Sequence, residues 1–169
     1  MINALPDFNR ALELNPEYVS AYIRRGMTYR NMEQYDQAIQ DYNKAIKLNP
    51  KSDWAYNNRG FAYASKGDYD TAITNYNKAL EFDPNDAWTY FQLGFAYSNK
   101  GNYDQAITDY TKAIELNPSD SMAYNNRGVA YSNKGNYDQA IADYTKAVEL
   151  NPNNEIANNN LQNLQNYLR

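Results

Sequence analysis

The chain has 169 residues, a formal net charge of −4, 18 tyrosines, and neither cysteine nor histidine. That composition excludes disulfides, thiol and Ser-His-Asp nucleophiles, and zinc held by Cys or His; the negative charge argues against non-specific binding to nucleic acid or acidic membranes. No hydrophobic run could span a bilayer and no signal peptide is visible, so the expected location is cytoplasmic.

Taken in chain order, the first marker is Pro16, and Pro50, Pro84, Pro118 and Pro152 follow it at intervals of 34 residues, each after Asn or Asp. A period of that size predicts stacked, equal-sized units rather than one globular core. Residues 1–18 read as the second half of a preceding unit, with Ala4, Phe8, Ala11 and Pro16 in register and Pro6 starting a shortened helix. Full units are expected at 19–52, 53–86, 87–120 and 121–154. Residues 155–169 read as a C-terminal capping helix, with Ile156, Leu161, Leu164 and Leu168 on its buried stripe. The residues after Met1 are already repeat-like, which leaves open whether the chain is a piece of a longer protein.

Several columns keep the period. Gly26, Gly60, Gly94 and Gly128 form one; Ala4, Ala38, Ala72, Ala106 and Ala140 another; Ala11, Ala45, Ala79, Ala113 and Ala147 a third. All tyrosines but Tyr18 and Tyr167 fall on four further columns, where packing explains them. Within a unit the spacing is helical: Tyr90, Leu93, Gly94 and Tyr97 share one face. Gly101 then ends that helix in the left-handed conformation, Asn102 caps the next, and Asp104 sits in its first turn. Tyr103, Ala106, Tyr110 and Ala113 continue the apolar face until Pro118 stops it. Each unit is therefore a helix, a tight turn and a second helix. The small residues at Gly94 and Ala106 are expected where the two helices cross.

These residues carry a family resemblance. Tyr90, Leu93-Gly94, Tyr97, Gly101, Ala106, Tyr110, Ala113 and Pro118 match the pattern of the tetratricopeptide repeat family, and the other units are similar. They depart at Arg25, Arg59 and Arg127, which replace the leucine, and at Glu33, which replaces the turn glycine. The resemblance implies an all-α fold, a right-handed superhelical α-solenoid of stacked antiparallel helix pairs. It also implies a concave face lined by the first helix of each unit.

The columns left over after packing is assigned differ between units, as binding residues can and stacking residues cannot. They hold Ser20, Trp54, Trp88 and Met122; Ile23, Asn57, Phe91 and Asn125; Arg24, Asn58, Gln92 and Asn126; Met27, Phe61, Phe95 and Val129; and Arg30, Ala64, Ser98 and Ser132. Aromatic anchors interleaved with amides suit an extended peptide. The expected groove is Arg24, Met27, Trp54, Asn57, Asn58, Phe61, Trp88, Phe91, Gln92, Phe95, Met122, Asn125 and Asn126. The tryptophans have a second reading, as packing between units.

The carboxylate clamp of chaperone-binding members is disfavoured. Only Arg24 and Arg30 are cationic in these columns, and Trp88 and Gln92 replace the cations expected in the third full unit. Asp36, Asp70, Asp104 and Asp138 recur in each unit, which fits a structural role better than catalysis. No phosphate or calcium loop is present, so no enzyme activity, cofactor or metal is expected. The function expected is a non-catalytic scaffold that binds an unidentified protein or extended peptide. The alternatives are head-to-tail self-association through the array ends and a targeting module of a larger enzyme or secretion component.

Overall fold

The computed structural model describes residues 5–169, which form ten α-helices and no strand. Two compact units divide at Pro84 and Asn85. The first unit contains α1 (Leu5–Leu14), α2 (Val19–Asn31), α3 (Tyr35–Leu48), α4 (Asp53–Ser65) and α5 (Tyr69–Leu80). The second contains α6 (Ala87–Asn99), α7 (Tyr103–Leu116), α8 (Ser121–Asn133), α9 (Tyr137–Leu150) and α10 (Glu155–Tyr167). Within each unit, neighbours pack as helical hairpins: α2 with α3 and α4 with α5 in the first, α6 with α7 and α8 with α9 in the second.

The hairpin turns share one device. At Gly67, Gly101 and Gly135 φ lies between 75° and 82°. The amide after each glycine donates to the carbonyl five residues earlier, and the glycine amide to the carbonyl three residues earlier, as in Asn102 to Tyr97 and Gly101 to Ser98. This double bond closes the helix C-terminus and requires a left-handed residue. Glu33 makes the same bonds at φ 59°, so the α2–α3 turn keeps the motif at a steric cost that glycine avoids. Asn102 caps α7 through a bond from the Gln105 amide, as its position predicts.

The glycine column is explained by a ring. A Cβ added at Gly26, Gly60, Gly94 or Gly128 would lie 2.6 to 2.8 Å from the ring of Tyr42, Tyr76, Tyr110 or Tyr144. The close approach expected from sequence is therefore mainly helix backbone against tyrosine, with the Ala72 and Ala140 carbonyls next nearest at Gly60 and Gly128. Those four tyrosines and the Ala38, Ala72, Ala106 and Ala140 column are buried; Ala4 lies outside the described residues. The Tyr22, Tyr56, Tyr90 and Tyr124 column is half-buried, and arginine guanidinium groups lie over Tyr22, Tyr56 and Tyr124.

The expected stripe on α10 needs correcting. Leu161 and Leu164 pack into a cluster with residues of α8 and α9 and Ala157 is buried, whereas Ile156 and Leu168 are exposed. Helical spacing places Ala157, not Ile156, in line with Leu161 and Leu164.

Candidate functional site

The first helices present the columns that differ between repeats. On α4, Trp54 is 60% exposed; on α6, Trp88 and Phe95 are 50% and 42% exposed; on α8, Met122 is 56% exposed. Arg24 is also exposed, while Met27, Asn57, Phe61 and Asn126 are half-buried. Asn58, Phe91, Gln92 and Asn125 are buried. The thirteen groove candidates thus divide into a solvent-facing set of five, a half-buried set of four and an inner set of four.

The inner set has identifiable partners. Phe91 stacks on Trp88 at 5.4 Å between centroids and tilts against Tyr110 at 5.7 Å. Asn125 accepts from Asn160 of α10 at 2.9 Å and donates to Asn126 at 3.1 Å. Asn58 donates to the Trp54 carbonyl at 2.8 Å and accepts from Arg30 at 2.9 Å. Arg30 also lies over the Phe61 ring at 4.7 Å, so this cation is engaged within the protein. In the second unit a recess of about 250 Å³ is lined by Phe95, Ser98, Asn126 and Val129 among others, a neutral surface of amide, hydroxyl and apolar groups.

Two sets of polar contacts hold these helices in place, and sequence reasoning missed both. Arg25 grips Asp41 through two bonds of 2.8 and 2.6 Å, and Arg127 grips Asp143 at 2.8 and 2.7 Å. Arg59 binds Asn75 at 2.7 Å. The third full repeat has Leu93 in the arginine position but retains Asp109, which is buried with Gln105 as its hydrogen-bond partner at 3.2 Å. Burial pushes the Asp109 carboxyl up to about 6, against the downward pull of the Gln105 bond. The second set joins successive hairpins: Lys66 to Asp36 at 2.5 Å, and Lys134 to Asp104. Both signals lay in the repeat, as an Arg column 16 residues before an Asp or Asn column and a Lys before each turn glycine.

Comparison with known proteins agrees with this geometry. Family models described as TPR repeat match residues 26–67 and 62–101, and models described as tetratricopeptide repeat match 8–40, 87–120 and 121–154. A crystal structure of MamA is similar at 30% identity and a TM-score of 0.81, covering 87% of this chain and 86% of that one. The first TPR of Spaghetti (RPAP3), bound to the HSP90 peptide SRMEEVD, is similar at 30% identity and a TM-score of 0.68, covering 70% of this chain and 94% of that one. A thermophilic TPR protein of Thermus thermophilus shares the fold at 22% identity and a TM-score of 0.77, over 96% and 89% of the two chains. No curated protein matches significantly. The fold and repeats are those of an α-solenoid interaction scaffold, and the chain belongs to the tetratricopeptide repeat family. Among the described residues no helix is long and apolar enough to cross a membrane.

Proposed function

We propose that the chain is a non-catalytic scaffold that binds a peptide or protein segment on the faces of its first helices, with repeats at 19–52, 53–86, 87–120 and 121–154. One observation carries this reading: the columns that change from repeat to repeat hold large apolar side chains in solvent. Trp54, Trp88, Phe95 and Met122 are all exposed. Tryptophans that served to pack one repeat on the next would be covered. Large exposed aromatics beside amides are the composition of an interface core, where a few such anchors carry most of the binding energy.

In this reading Trp54, Trp88, Phe95, Met122 and Arg24 touch the ligand, and Asn58, Phe91, Gln92 and Asn125 hold them in position. The RPAP3 domain is a related fold with a peptide bound to it, which supports peptide binding as a mode open to this architecture. It does not transfer the peptide, because Asn58 and Arg30 are bonded to each other. The test is a peptide-display selection on the wild type and on a Trp54→Ala/Trp88→Ala/Asn58→Ala variant. The expected result is a common motif enriched on the wild type alone. Equal enrichment on both would sink the assignment of this face, and the array ends would then be tested by light scattering for self-association.

A further inference from the structure

We propose that the recess between α6, α7 and α8 is a receptor for an arginine side chain of a bound peptide, and takes from the ligand what Arg30 supplies from within the first unit. This rests on the reading that the first-helix faces bind peptides, and names the side chain that one subsite accepts. The recess of about 250 Å³ is lined by Phe95, Ser98 and Asn99 of α6 and by Asn126, Val129 and Asn133 of α8, with two tyrosines of α7 beside them. None of these side chains is charged at neutral pH.

The first unit holds an arginine in the corresponding place. Arg30 of α2 is half-buried. It donates to the side-chain oxygens of Asn58 at 2.9 Å and Asn31 at 3.3 Å, and its guanidinium lies 4.7 Å from the centroid of the Phe61 ring. Two amide oxygens and an aromatic face therefore hold one guanidinium, and none of those partners is a carboxylate. A guanidinium suits such a neutral setting. Its planar fork serves two oxygens at once, it stacks on rings, and it is weakly hydrated for a cation.

Two repeats later the acceptors remain and the arginine does not. Ser98 stands in register with Arg30, Asn99 with Asn31, and Asn126 with Asn58. Phe95 and Val129 take the places of Met27 and Phe61, so an aromatic and an aliphatic side chain are both kept. The amide oxygens have capacity left. The Asn99 and Asn133 nitrogens donate to the Phe95 and Val129 carbonyls, each at 2.8 Å, which leaves both side-chain oxygens to accept. The Asn126 oxygen accepts one bond, from Asn125, and has a second lone pair. The Ser98 hydroxyl has no partner among the described residues. Amide oxygens in this number reject a carboxylate, which can only accept, and favour a donor. An ammonium gives up more hydration than a guanidinium for the same neutral oxygens. The chain's net charge of −4 favours the approach of a cation.

Three small probes test this on the whole chain, followed by amide chemical shifts up to tens of millimolar probe. They are the acetylated, amidated forms of arginine, of citrulline, which keeps the shape without the charge, and of lysine, which keeps the charge without the fork. The arginine probe should bind at least about threefold tighter than either of the others and shift Ser98, Asn99 and Asn126. Ser98→Arg fills the recess as Arg30 does in the first unit, and should abolish those shifts with an unchanged melting temperature. Asn99→Leu, at an exposed position, should remove the preference for arginine. Arg30→Ser should open a second site, seen as new shifts at Asn31 and Asn58. Equal binding of the three probes, no binding by any of them, or arginine binding unchanged in Ser98→Arg would overturn the receptor. A peptide from display on the wild type that lacks arginine and binds Ser98→Arg equally well would also remove it, while the peptide-binding face stands. Arginine binding lost in Ser98→Arg, with no motif enriched in display, would keep the guanidinium site and sink the peptide-binding face.

Discussion

The α2–α3 and α6–α7 hairpins trace the same turns with different internal chemistry. In α2–α3 the ion pair is complete, Arg25 on Asp41, but the turn residue is Glu33 and neither helix has a side-chain cap. In α6–α7 the turn is Gly101 and both helices are capped, by Asp86 and Asn102, but the arginine is missing and Asp109 is buried without a cation. The buried tyrosines differ as well. The Tyr110 hydroxyl is bonded by Asn126, whereas the Tyr42 hydroxyl is buried without a partner, because Arg30 and the Trp54 carbonyl engage Asn58, the counterpart of Asn126. Each hairpin carries a different local defect, so no single polar contact defines the repeat. What both keep is the glycine against the tyrosine ring.

The largest effect should therefore come from that contact. Gly94→Ala places a methyl 2.7 Å from the Tyr110 ring and is expected to cost about 1–3 kcal/mol, read as a lower midpoint in urea at unchanged m. Gly26→Ala should cost a comparable amount, since both hairpins rely on this packing.

Next is the buried carboxylate. Asp109 has a raised folded pKa, so the stability it confers is fully present below about pH 4 and lost as pH rises through about 6. Asp109→Asn, which copies Asn75 one repeat earlier, should gain about 1–2 kcal/mol at neutral pH and flatten that profile. Asp41→Asn should do the opposite at neutral pH, because it leaves Arg25 without its anion. A wild type and Asp109→Asn with parallel stability profiles from pH 4 to 7 would contradict the account of Asp109.

The turns predict a smaller, antisymmetric pair. Glu33→Gly should stabilise and Gly101→Ala destabilise, each by about 1 kcal/mol, as shifts of a few degrees in thermal melts. The smallest contrast is at the hydroxyls. Tyr110→Phe should lose about 1 kcal/mol, while Tyr42→Phe, which removes an unsatisfied group, should be neutral or slightly stabilising.

Most of the fold was legible in the sequence because a repeat multiplies every signal. The prolines set the period, Gly101 and Asn102 marked a turn and a cap, and Tyr90 to Tyr97 gave the helical face. Family models and solved structures agree with that reading. Pairings between columns were legible only across repeats, as an Arg column 16 residues before an Asp or Asn column, and not within any one repeat. Nothing local to Arg25 points to Asp41, and a rule for one repeat cannot say whether Arg30 serves a ligand or Asn58. The candidate site was only partly legible for the same reason: Trp54 and Phe91 both read as aromatic groove residues, yet the first is exposed and the second is 5% exposed under Trp88.

The central claim is that repeating columns hold the stack and differing columns meet the ligand. Trp54→Ala and Gly94→Ala, each measured for unfolding midpoint and for affinity to a peptide selected on the wild type, test it most directly. Trp54→Ala should stay within about 0.5 kcal/mol of wild-type stability and bind at least tenfold more weakly; Gly94→Ala should lose stability and, while folded, keep most of its affinity. If Trp54→Ala destabilises the chain as a core truncation would, or binds the selected peptide like the wild type, the claim is wrong.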